Sequence, residues 1–144
     1  MRVALGSDDD THLVTEIARE LERRGHSVAK FGAPAGKTEP WARTALAVAE
    51  SVARGEFDSA VVCCWTGTGV SIAANKVPGV RAALCGDAAT ARGARKWNDA
   101  NVLALSLRAT APEVAREILD AWFAEPYGGT EAESLDAIRS EERR

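Results

Sequence analysis

The stretch Val61-Val62-Cys63-Cys64-Trp65-Thr66-Gly67-Thr68-Gly69-Val70-Ser71-Ile72-Ala73-Ala74-Asn75-Lys76 joins an unbroken apolar run to a glycine-rich turn and then to a segment of small residues. A run without polar alternation suits a strand covered on both faces. Glycines give the backbone the freedom a tight loop needs, and the residues from about Gly69 onward read as a helix. The order is strand, loop, helix. It sets Cys64 at the carboxyl end of the strand, while the glycine-rich backbone turns N–H groups into the same space. The positive end of the helix is expected to lower the pKa of a thiol held beside it, which makes Cys64 a candidate base. The alternative is a buried strand cysteine, the commoner fate of that residue. Strand alternation points Cys63 to the opposite face, into the core, and Cys85 is also read as core.

The rest of the chain repeats this grammar. Arg2 to Gly6 reads as a short strand, and Leu13, Val14, Ile17, Ala18 and Leu21 recur at helical spacing behind a cap at Asp10 or Thr11. Gly25 closes that helix, and His26 to Phe31 is a second strand leading into the loop Gly32 to Gly36. Pro40 opens a helix continuing through Ala42 to Ala53, which Gly55 ends, and Asp58 to Cys64 is the third strand. Val80 to Cys85 is the fourth strand. Ala88 to Lys96 is a helix weakened by Gly93, and Val102 to Leu105 is the fifth strand. Pro112 opens an amphipathic helix carrying Val114, Ile118, Leu119, Trp122 and Phe123, ended by Tyr127-Gly128-Gly129, and a charged helix follows over about 130–142. Strands alternating with helices predict a three-layer α/β/α, Rossmann-like fold on a five-stranded parallel sheet, with ligands bound beyond the carboxyl ends of the strands. Asp8, Asp9, Cys64, Thr66 and Asp87 all fall at such ends.

The 144 residues suit one domain over 1–144. The net charge is -3 and no basic stripe with interleaved aromatics occurs, which argues against a nucleic-acid partner. No secretory signal or membrane-length apolar run is read, so a cytoplasmic protein without membrane contact is expected. Three cysteines, two of them adjacent, make no disulfide framework and no zinc pattern, so reduced thiols and no metal are expected.

The run Cys64-x-Thr66-Gly67-x-Gly69-Val70-Ser71-Ile72-Ala73-Ala74-Asn75-Lys76, then Pro78-Gly79-Val80-Arg81-Ala82 and Arg95-x-x-Asn98-Asp99-x-Asn101-Val102-Leu103, resembles the ribose-5-phosphate isomerase B and galactose-6-phosphate isomerase family over almost the whole chain. The resemblance implies a cofactor-independent aldose-ketose isomerase working through a cis-enediolate. Cys64 is the implied base, the loop amides around Gly67 and Gly69 hold the enediolate, and Asp8, Thr66 and Asn98 orient the substrate. It also implies a homodimer or dimer of dimers with shared pockets, the last helix packing at a subunit interface.

Several positions depart from the family pattern. The histidine that opens the sugar ring together with the Thr66 position is Trp97 here, and an indole cannot exchange protons on imidazole's scale. Something else opens the ring, the substrate arrives linear, or sugars are not isomerised. Where the family binds phosphate through a histidine and two arginines, this chain has Asp9, Thr130 and Ser134, with Glu131 and Glu133 between the last two. A carboxylate facing a phosphate charge at a few ångströms costs about 4 kcal/mol at an effective dielectric near 20. The expected substrate is therefore a small sugar without phosphate at that end. The competing reading keeps a sugar phosphate and takes positive charge from His12, Arg108, Arg139 or Arg143. Trp65 replaces a loop glycine, and Trp41 lies near a family tyrosine. With Trp97 they give three indoles suited to the C–H face of a sugar, although Trp65 equally suits a core gap or a subunit contact. Asn98 either binds a hydroxyl or caps the turn before the fifth strand. A non-catalytic sugar-binding or regulatory homologue is the reading from another class.

Overall fold

The computed structural model describes all 144 residues. In chain order the elements are β1 (Arg2–Ser7), α1 (His12–Arg23), β2 (Ser27–Gly32), a 3-10 turn (Ala33–Ala35), α2 (Trp41–Ala53), β3 (Ser59–Cys64), α3 (Thr68–Ala74), β4 (Ala82–Leu84), α4 (Ala88–Asn98), β5 (Val102–Ser106), α5 (Pro112–Ala124) and α6 (Ala132–Glu142). All strand pairings are parallel, in the order β2-β1-β3-β5-β4. No helix is long and apolar enough to cross a membrane.

Strand alternation divides the core. Val3, Leu5, Val61, Cys63, Leu103 and Leu105 face α1, α4 and α5, whose Ile17, Leu21, Ile118, Leu119 and Trp122 fill a thick layer. Ala4, Ala60, Val62, Cys64, Val102 and Ala104 face α2 and α3 across a layer of smaller side chains such as Ala45, Ala49, Ala73 and Ala74. The alanines let α2 lie close to the sheet. A Cβ built on Gly6 would come within 2.8 Å of Val48 Cγ2. Trp122 stays buried because its indole N–H donates to Ser59 Oγ at 3.0 Å, joining α5 to β3.

Differences from the sequence reading are local. Of the two caps offered for α1, Thr11 serves, its hydroxyl accepting from Val14 N. The fourth strand is half the expected length: the Arg81 carbonyl still accepts from Asn101 N and Val102 N, but the Arg81 N–H and both polar groups of Ala82 are taken by side chains. Asn101 Oδ1 accepts from Arg81 N at 2.8 Å, and Asn75 bonds both the N–H and the carbonyl of Ala82 at 2.8 and 2.9 Å. Helix α5 stops at Ala124, where Glu125 turns extended, before Tyr127 is reached. Asp99, in the left-handed conformation at φ 47°, ends α4. Asn98 is the exposed last residue of that helix, so the capping role offered for it belongs to Asp99.

Candidate active site

β1 has β2 on one side and β3 on the other, so the crevice beyond the carboxyl ends of β1 and β3 is where the strand order reverses. Ser7 pairs in register with Cys63, and Cys64 with Ser106 on β5. Asp8 and Asp9 follow β1 directly. A turn fixes them, Ser7 Oγ donating to Asp9 O at 2.6 Å and accepting from Asp9 N at 3.2 Å. Asp8 is half-buried at the crevice and Asp9 is exposed. Cys63 points into the thick layer, where burial first, then the neighbouring Cys64 and Asp8, push its thiol up to about 12. Cys64 points the other way, beneath α2 and α3, and only 5% of it is exposed. The sulfur expected at an open pocket mouth is thus almost covered within one chain.

The loop after Cys64 is held on both flanks. Trp65 O accepts from Ser106 Oγ at 3.0 Å and from Arg108 N at 3.0 Å, while Cys64 O accepts from Leu107 N at 2.9 Å. Gly67 sits at φ 78°, and a Cβ there would meet Leu84 Cδ1 at 2.6 Å and the Leu105 carbonyl carbon at 2.9 Å. Only glycine fits both that conformation and that space. The Thr66 and Thr68 hydroxyls share a hydrogen bond of 2.7 Å. The N–H groups of Thr66, Gly67, Thr68, Gly69 and Val70 make no hydrogen bond within the chain. They form a set of donors around one short stretch, which can stabilise an oxyanion. Helix α3 has seven residues, so the donors themselves, more than a long dipole, give the loop its polarity.

The three indoles do not gather around one pocket in a single chain. Trp41 opens α2 and lies against Gly69. Trp65 is 63% exposed at the loop, which excludes the core-filling role. Trp97 lies flat on its own helix, where a Cβ on Gly93 would be 2.9 Å from Trp97 Cζ3, and Lys96 Nζ stands 6.0 Å from the ring centroid. The propensity break at Gly93 thus makes room for an indole. Trp97 and Asn98 line a groove of about 600 Å³ between the β4 edge and α6, with Ala82, Leu135, Ser134 and Glu131. Thr66 lines a different cavity of about 400 Å³, with Leu84, Cys85, Ser106, Arg108 and Thr110. Burial and the Asp87 carboxylate push the Cys85 thiol up to about 11, in keeping with a packing role. Ser106 escaped the sequence reading, and Asn75 and Asn101 entered it only as parts of the family run, because the roles of all three depend on which strands become neighbours. His12 pairs with Glu16, and His26 packs on Phe123 beside the amino terminus, so neither imidazole joins the groove of Trp97. No cluster of His, Cys, Asp or Glu has the arrangement to hold a metal ion.

Comparison with known proteins gives a consistent neighbourhood. The model of a family described as Ribose/Galactose Isomerase matches residues 3–138. Ribose-5-phosphate isomerase B of Escherichia coli is 37% identical over 99% of this chain and 97% of its own length. D-erythrulose-4-phosphate isomerase of Pectobacterium atrosepticum is 36% identical over 96% of this chain and 93% of its own. Among solved structures, ribose-5-phosphate isomerase B of Clostridium thermocellum superposes with a TM-score of 0.93 at 40% identity, covering 99% of this chain and 98% of that one.

Proposed function

The chain belongs to the ribose/galactose isomerase family and is an isomerase; from that premise we propose that it interconverts a small aldose and its ketose without a cofactor, using Cys64 as the base. The thiolate takes the proton from the carbon beside the carbonyl. The electron pair moves onto the carbonyl oxygen to give a cis-enediolate; the hydroxyl proton passes from the neighbouring oxygen to that oxygen, and the proton on Cys64 returns to the former carbonyl carbon, so the neighbouring carbon becomes the carbonyl. The observation that carries this reading is the set of unpaired N–H groups from Thr66 to Val70 directly after Cys64. Donors fixed before the reaction stabilise the developing oxyanion without reorganising, and loss of one such donor elsewhere costs roughly 10²–10³ in kcat. Asp8 and Thr66 orient hydroxyls from the same end of the sheet.

Trp97 and Asn98 open onto a different cavity from Thr66 in one chain. For all three to touch one substrate, a second copy must bring its α4 and α6 to the loop, and we assign the working unit to a homodimer or a pair of dimers. The ring-opening position is an indole, which supports a substrate taken up in linear form. Two relatives are named for four- and five-carbon sugar phosphates, so the proposed size is a tetrose or pentose.

The far end of the substrate has two readings. Glu131, Glu141 and Glu142 line the α6 groove, and its one cation, Arg81, is paired with Asp99, which supports an uncharged end. The second reading is a sugar phosphate held elsewhere. Arg108 is exposed beside Thr66, Ser106 and Thr110, and its side chain enters none of the chain's ion pairs. Incubating the protein in deuterium oxide with tetroses and pentoses, free and phosphorylated, tests both parts. Label at the carbon beside the carbonyl is expected with wild type and lost in Cys64→Ala; label that persists in the variant removes Cys64 as base. A preference for the phosphorylated form that disappears in Arg108→Gln selects the second reading.

A further inference from the structure

Trp41 is too exposed to be a core residue and too well placed to be a solvent-facing one. It is 43% exposed, yet one face of its indole lies on the Cα of Gly69, so close that a Cβ there would be 2.9 Å from both Cε3 and Cζ3. The ring is mounted on rigid backbone. Pro40, at φ -60°, is the residue immediately before α2, and its carbonyl accepts from Arg43 N at 3.0 Å and Thr44 N at 3.2 Å. Thr44 is buried, and its hydroxyl donates to Glu39 Oε1 at 2.9 Å, tying the residues on either side of Trp41 together. Gly69 is the second residue of α3 and carries one of the unpaired N–H groups, and the loop that leads into it is held at its other flank by Leu84 against Gly67 and by Ser106 on Trp65 O. In the first turn of a short helix the N–H groups have no intrahelical acceptor, so a ring packed on the Cα of a glycine there restricts a peptide that its own hydrogen bonds hold only in part.

We propose that Trp41 is a positioning residue of the isomerase site: its indole clamps the Gly69 peptide from the α2 side and so holds the loop amides in the arrangement that receives the enediolate. This rests on the reading that those amides serve the reaction. Gly69 is then glycine because the ring occupies the space of a Cβ, and the two positions act as one unit.

Four proteins test it: Trp41→Ala, Trp41→Phe, Gly69→Ala and the double variant Trp41→Ala/Gly69→Ala. Backbone ¹⁵N order parameters of residues 67–70 read the loop directly, with no substrate present. Trp41→Ala is expected to lower them from about 0.85 toward 0.6, the range of mobile backbone, with the thermal midpoint unchanged. With the best substrate of the deuterium screen, kcat falls at least fivefold while KM stays within twofold, and Trp41→Phe restores part of the loss. Gly69→Ala displaces the ring and gives the same defect, and the double variant is no worse than either single one. Unchanged order parameters in Trp41→Ala, or single-variant losses that simply multiply in the double variant, overturn the role of Trp41. A mobile loop with unaltered kcat instead overturns the loop's part in the reaction, so the two readings fail separately.

Discussion

Cys63 and Cys64 are adjacent and chemically identical, and the sheet gives them opposite fates. Cys63 is fully buried in the thick layer with its thiol pushed up to about 12, so it carries no thiolate near neutral pH. Cys63→Ala therefore keeps isomerase activity and loses about 1–2 kcal/mol in a urea titration, the transfer and cavity terms of one small buried group. Cys64→Ala, likewise at a buried position against α2 and α3, is expected to lose a similar amount, about 1–2 kcal/mol, but, unlike Cys63→Ala, to remove solvent exchange at the substrate carbon. Activity that is lost in Cys63→Ala and kept in Cys64→Ala would exchange the two roles. The alternation that separates them is legible in sequence, since a strand of known direction fixes which of two neighbours faces which layer.

At the scale of elements, the edge strand β4 is stitched to its neighbours by amide side chains. Asn75, just past α3, bonds both polar groups of Ala82, and Asn101 bonds Arg81 N and, through Nδ2 at 3.0 Å, Gly79 O. Removing Asn75 hands a backbone donor and acceptor to water at the β4 edge of the Trp97 groove. Asn75→Ala is expected to cost about 1 kcal/mol by chemical denaturation, the net worth of water-accessible hydrogen bonds, whereas Asn98→Ala, an exposed side chain without a hydrogen bond in the chain, costs under about 0.5 kcal/mol. Equal losses from the two would remove the stitching argument. Element type and order followed from apolar runs and from glycine and proline punctuation, because those are local signals. The α6 groove, the seating of Trp41 on Gly69 and of Trp97 on Gly93, and the short β4 were not legible, because each depends on which segments meet. Within one chain the three indoles lie apart for the same reason. Sequence placed the tryptophans near the ends of the relevant elements, but it did not give the direction of their rings.

Across the whole molecule, the site and the main acidic network share no residues. At the carboxyl ends of the strands the chain presents loop amides and carboxylates. Between α1 and α5, Glu20 accepts from Arg23 at 2.5 Å and Arg24 at 3.0 Å, and Arg24 reaches on to Asp120 at 2.5 Å. The Arg23 hydrogen bond first, with Arg24 adding to it against the desolvation, holds the Glu20 carboxyl at about 2, below its usual 4.5. Arg24 Nε is buried without a partner, which offsets part of the gain. A carboxylate with a lowered folded pKa stabilises the fold fully above its unfolded value, and that stability is lost as pH falls from about 4.5 to about 2. With solvent screening around Arg23 allowed for, the contribution is about 1–2 kcal/mol. His26 acts in a separate window. Burial first, then the amino terminus and Arg24, hold its imidazole below the usual 6.5, so the unfolded chain takes the proton first and stability falls as pH drops below 6.5. Urea midpoints measured from pH 8 to pH 2 separate the two groups. Glu20→Gln is expected to be less stable than wild type at pH 7 and to converge with it near pH 2, while His26→Gln flattens only the decline that begins near pH 6.5. A constant gap between Glu20→Gln and wild type across the whole range would mean that the carboxylate acts through packing and not through its charge.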